Sequence, residues 1–128
     1  MFNENDLPSD LKKGVYKIKE LVLQPTFLED LERNPEYCTL PKWLSKFTML
    51  EKIRFRFVKL NNLEDLADLP VQHIIFDNIQ YSDSGKMIRD IKKFKYLHEI
   101  SYDQSLPSDI IKAIEGFQIR CTVINDAD

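Results

Sequence analysis

Residues 40–56 read Leu-Pro-Lys-Trp-Leu-Ser-Lys-Phe-Thr-Met-Leu-Glu-Lys-Ile-Arg-Phe-Arg, with apolar side chains at Leu40, Leu44, Phe47, Leu50, Ile53 and Phe55. From Leu44 to Ile53 the spacing is three residues, and then it becomes two. Three-residue spacing keeps side chains on one side of a helical or coiled segment, whereas the closing alternation puts Ile53 and Phe55 on one face of a strand. The stretch therefore describes helix, bend and strand. Ile88, Ile91, Phe94, Leu97, Ile100 and Tyr102 repeat the same frame further along the chain. A single stretch of this kind would read equally well as an amphipathic helix; its recurrence points to a structural repeat.

Weaker copies extend the pattern in both directions. Ile18, Leu21 and Leu23 form one strand frame, Val71, Ile74 and Phe76 another, and Cys121 with Val123 a last one. The lead-in residues slip by one: Leu60, Leu63, Leu66 and Leu69 come one position early, and Ile111, Ile114 and Phe117 one position late. The phrases Leu7-Pro8-Ser9-Asp10-Leu11 and Leu106-Pro107-Ser108-Asp109-Ile110 are nearly identical, which implies internal duplication. From Leu7 to Val123 the pattern resembles the leucine-rich-repeat family.

That resemblance implies an α/β fold: a short leucine-rich-repeat solenoid of about five parallel strands on a concave side and helices on the convex side. One domain spans residues 1–128. The resemblance also implies a non-catalytic module that binds a protein. The sequence departs from the family at the asparagine that follows each strand, where it carries Thr26, Val58, Ile79 and Ser105, with Asn78 one place away. Strand spacing is uneven as well, so a long regular horseshoe is not expected.

Local signals place helices between the strands. Thr26 with Glu29, and Asn61 with Glu64, fit capping boxes ahead of Phe27 to Leu31 and of Leu63 and Leu66, and Asn34-Pro35 stops the first of these helices. Pro41 and Pro107 suit first-turn positions, Gly116 a helix end, and Tyr81 to Gly85 a turn into the helix around Ile88 and Ile91. Polar Asn3, Glu4 and Asn5 at one end, and Asn125, Asp126 and Asp128 at the other, fit terminal caps.

Composition narrows the function. The chain is 43% hydrophobic and 30% charged, with a formal charge of −3. That balance is globular and lacks the basic footprint that phosphate binding needs, so nucleic acid is not expected. No apolar run approaches the roughly 20 residues of a membrane span. The opening residues are acidic and polar rather than signal-like. A cytoplasmic protein is expected, with no membrane partner and an open oligomeric state. Cys38 and Cys121, lacking CxxC spacing, read as ordinary thiols.

His73 and His98 have no ligand-spaced neighbours, and with three glycines no phosphate-cradling loop is expected, so no cofactor, metal or catalytic residue is assigned. The acidic pairs Glu29-Asp30 and Glu64-Asp65 read as partners of helix dipoles, and Trp43 as a packing residue. With Leu21/Leu23, Ile53/Phe55, Ile74/Phe76, Ile100/Tyr102 and Cys121/Val123 inward, the neighbouring positions turn to the opposite face. That face carries the candidate partner-binding set Lys52, Arg54, Arg56, His73, Asp77, Glu99 and Asp103.

Its charge step, basic on one strand and acidic on the next two, either orients a partner or forms internal ion pairs. An immunity or regulatory protein is one concrete expectation. The alternative is an α/β nucleotide- or metabolite-binding regulator or enzyme, with its site at the strand C-terminal ends near Gln24, Asp77, Asp103 and Gln104.

Overall fold

The computed structural model describes residues 18–24 and 38–124. The protein is of the α/β class. Five strands form one parallel sheet: β1 (Glu20–Leu23), β3 (Lys52–Arg56), β5 (His73–Asp77), β6 (Glu99–Tyr102) and β7 (Arg120–Val123), laid side by side in chain order. Two short strands, β2 (Cys38–Thr39) and β4 (Val58–Lys59), pair parallel in a second ladder, which Gln80 extends by a bridge to Lys59.

The strand register aligns the repeats residue by residue. Leu21, Ile53, Ile74, Ile100 and Cys121 form one row across the sheet, and Leu23, Phe55, Phe76, Tyr102 and Val123 another. Because strand side chains alternate, both rows fall on one face. Ile53, Phe55, Ile74, Phe76 and Ile100 are completely buried there, and the Phe55 and Phe76 rings stack at 6.2 Å between centroids. Val123 departs from its expected inward burial. It is 72% exposed, because β7 has no strand on its far side among the described residues to close over it.

The connecting layer follows the same order. Among the described residues it consists of a 3₁₀ helix at Lys42–Lys46, a second at Leu63–Leu66, α1 (Ser84–Lys92) and α2 (Ser108–Glu115), each packed on the next. Where α-helices are expected around Leu44 and Leu63, the chain winds as 3₁₀ instead. A strict three-residue period matches a helix of about 3.0 residues per turn, in which i and i+3 eclipse. Leu44, Phe47 and Leu50, then Leu63, Leu66 and Leu69, are accordingly all buried. The two α-helices among the described residues bury pairs four apart, Met87 with Ile91 and Ile110 with Ile114. That interval is the one a turn of about 3.6 residues requires.

Helix starts are set locally. The Asp83 side chain accepts the Lys86 N–H at 3.2 Å and caps α1, satisfying one of the donors that a helix start leaves unpaired. Pro41 and Pro107 stand one residue earlier than expected, in extended conformation immediately before their helices. Their missing N–H is equally harmless there. The Asn61–Glu64 capping box does not form. Asn62 precedes the 3₁₀ turn and donates to Asp65 at 3.0 Å, while the Asn61 side-chain Oδ1 accepts from the Ser82 hydroxyl.

Glu64 and Asp65 both stand in the first turn of this 3₁₀ helix, as expected, and Glu64 is also held by Lys93 at 2.9 Å and Lys86 at 3.6 Å, cations at and just beyond α1. Gly116 ends α2 with φ −70°, and the left-handed residue of that connection is Gln118. The Thr26–Glu29 box, the Glu29-Asp30 pair, the phrase at Leu7–Leu11 and the terminal polar residues lie outside the described residues. No helix among the described residues is long and apolar enough to cross a membrane.

Candidate protein-binding face

The face opposite the core rows is built by the alternate residues of the same strands. Register sets them in rows: Glu20, Lys52, His73, Glu99 and Arg120, then Val22, Arg54, Ile75, Ser101 and Thr122, then Arg56 beside Asp77. Among the described residues no helix covers Lys52, Arg54, Arg56 and His73, which stay half-buried rather than buried, while Glu20 and Arg120 are exposed. Parallel sheets are ordinarily apolar on both faces. One polar face fits a sheet that the described helices cover from a single side.

The sequence-derived set separates into three groups. Arg54 and Arg56 converge on Asp77. Arg54 donates through Nη2 at 2.7 Å and Nε at 3.2 Å to Oδ2, and Arg56 Nε lies 3.1 Å from the same oxygen. That last approach is not aligned as a hydrogen bond, which leaves the buried Nε of Arg56 unsatisfied. Arg56 also donates through Nη1 to the Gln24 side chain at 3.3 Å. The Asp77 carboxylate is itself buried, and its other oxygen accepts from the Asn78 side chain at 2.9 Å.

His73, Glu99 and Ser101 form the second group. His73 Nε2 lies 2.8 Å from Ser101 Oγ and 3.3 Å from Glu99, and Ser101 is hydrogen-bonded in turn to Thr122. Burial holds the imidazole below its usual pKa, with Lys52 and His98 acting in the same direction and Glu99 and Glu20 against it. A serine, a histidine and a glutamate together suggest a nucleophilic triad, but the geometry is wrong for one. A triad needs the acid on one ring nitrogen and the serine on the other. Here both contact Nε2.

Asp103 stands apart. It is buried beyond the end of β6, where its carboxylate accepts the Asn78 N–H at 2.9 Å and the Ser105 N–H at 3.0 Å, as well as the Ser105 hydroxyl. Ser105 Oγ in turn accepts the Ile79 N–H at 3.1 Å. Asn78 and Phe57 occupy the same turn after successive strands, and both have left-handed backbone, φ 52° and 55°. These turns expose backbone N–H groups that must be paired. Asp103 and Ser105 therefore do for the Asn78 turn what the expected asparagine would have done, which removes Asp103 from the open face.

Residues outside the sequence-derived set complete the surface. Val22 is 55% exposed beside Arg54, and Gln24 supports Arg56. Strand alternation already points both outward; their neighbours become known only with the register. Elsewhere, Trp43 packs as expected, its ring 6.0 Å from that of Phe47, with its buried Nε1 lacking a hydrogen-bond partner. The Cys121 thiol is pushed up from its usual pKa by burial, with Glu115 adding to the effect.

The alternative site at the strand C-terminal ends finds little there. In open α/β sheets such sites form where strand order reverses. Among the described strands this order never reverses. Asp77 and Asp103 are committed to Arg54, Asn78 and Ser105. Among the described residues no group of three or more His, Cys, Asp or Glu side chains could hold a metal ion. Comparison with protein-family models, curated proteins and solved structures finds no match to the chain.

Proposed function

We propose that this protein is a short, degenerate leucine-rich-repeat solenoid that binds a protein partner through the concave polar face of its sheet. The observation that carries this reading is the sheet whose spatial order is the chain order, with one face buried and the other charged, partly exposed and uncovered by any described helix. Stacked units of strand and helix have this arrangement, each burying its apolar rows against its neighbours. Lys52, Arg54, Arg56, His73, Asp77 and Glu99 form the contact surface, while Asp103 shapes its rim. An immunity protein or a regulatory subunit, acting by occupancy rather than by chemistry, suits such a module.

The test is an affinity capture from source cells comparing wild type with an Arg54→Gln, Arg56→Gln double variant, both first shown to be folded by circular dichroism. A protein retained by wild type and lost by the variant supports the face. The same protein held equally by both moves the contact to the helices or loops.

A further inference from the structure

We infer that the β3 strip of this face takes an acidic protein segment, extended and carrying carboxylates at alternate positions. The inference rests on the face being the binding surface, and it names the chemistry that the face selects. Lys52, Arg54 and Arg56 alternate along one strand and project from one side of it. At the rise of an extended strand, alternate Cα atoms lie about 6.7 Å apart. A partner strand carries its own alternate side chains at that same interval. Acids at every second residue would therefore meet the three cations in turn.

The charge of the arginine pair is not balanced by the single carboxylate it meets among the described residues. Arg54 and Arg56 share the single carboxylate of Asp77, and Lys52 makes no ion pair among the described residues. Two guanidiniums thus face one carboxylate, and Lys52 has Glu20 beside it in its row without an ion pair between them. The guanidiniums also have donors to spare, since each carries five N–H groups. The hydrogen bonds formed among the described residues are two from Arg54 and one from Arg56. The side chains of Arg54 and Arg56 remain 34% and 38% exposed.

Asp77 and Gln24 fix both guanidiniums in advance, so a ligand carboxylate meets groups whose rotamer freedom is already restricted. Bidentate pairing of arginine with carboxylate then supplies direction as well as attraction. Val22, 55% exposed beside Arg54 in its row, supplies apolar contact next to the charged positions, while Ile75 on the other side of Arg54 is buried. The acidic strands behave differently. Asp77 is spent on arginines, and Glu99 stands against His73, so the described face has no equivalent acidic strip for a basic segment.

The probe is a fluorescein-labelled, end-blocked heptapeptide with glutamates at its second, fourth and sixth positions separated by valines, its binding read by fluorescence anisotropy. It is expected to bind at least ten-fold tighter than its glutamine counterpart, and to weaken as salt rises because exposed charges are screened. Arg54→Gln with Arg56→Gln should lower its affinity ten-fold or more. Lys52→Gln, which disturbs no ion pair among the described residues, should lower it about three-fold, the scale of one partly exposed pair.

Equal binding of glutamate and glutamine peptides, or no binding up to about 1 mM, overturns the inference. So does displacement by inorganic phosphate at concentrations no higher than the peptide's, which would indicate a small-anion site. If the peptide fails while the arginine variants still lose a captured protein, the acidic class falls and the binding face stands. If the peptide fails and the variants retain that protein, both fall.

Discussion

Asp103→Ala separates two roles that sequence alone leaves joined. As a free residue on the sheet face, Asp103 would contribute little to stability, and its loss would change the free energy of unfolding by less than about 0.5 kcal/mol. The structure instead buries its carboxylate against the N–H groups of Asn78 and Ser105 and the Ser105 hydroxyl. Alanine orphans two N–H groups beside a turn whose left-handed residue, Asn78 at φ 52°, depends on that pairing.

Each unsatisfied buried donor costs about 1–3 kcal/mol, so the substitution should destabilise the protein by about 4 kcal/mol. With a urea m-value of about 2 kcal/mol/M for a chain this size, the unfolding midpoint falls by about 2 M. Urea titration followed by far-UV circular dichroism measures it, with Asp103→Asn as the companion variant retaining one acceptor and about half the loss. A midpoint shift below about 0.25 M for the alanine variant, at unchanged m, would refute the account of the turn.

Phe76→Ala should cost about 3–5 kcal/mol by emptying the centre of the sheet. Val123→Ala in the same row should cost less than about 0.5 kcal/mol, because Val123 already lies open; paired urea titrations compare the two. Burial lowers the His73 pKa. Its contribution to stability is therefore complete above its unfolded value of about 6.5 and is lost as pH falls through the depressed folded value. Thermal melts should show an acid-side loss for wild type that His73→Gln lacks, and parallel profiles would count against it. Burial raises the Cys121 pKa, so iodoacetamide should alkylate it more slowly than glutathione at about pH 8.5, as followed by peptide mass spectrometry. A rate equal to that of glutathione would show the thiol to be as free as one in water.

The strands were legible because their signal is local. Leu21, Ile53, Ile74, Ile100 and Cys121 each lead an alternation that ends two residues later, and the register joins them in a single row. The same alternation brought Lys52, Arg54, Arg56, His73, Asp77 and Glu99 to one face. Helix type was less legible. The three-residue period of Leu44, Phe47 and Leu50 fits a strained α-helix or a 3₁₀ turn, and the distance the chain must span before the next strand decides between them.

Successive residues alone specify which side chains alternate, where apolar periods change, and how many strand-sized units the chain holds. Relations between units wait on the packed molecule. Two arginines converge on Asp77 from the adjacent strand, Asp103 turns from the face to the backbone of the preceding turn, and Val123 is left uncovered at an edge of the described sheet. Periodicity specifies a direction from the backbone. A partner requires two backbones at a defined distance, and that distance is set by the packing of side chains far apart in the chain.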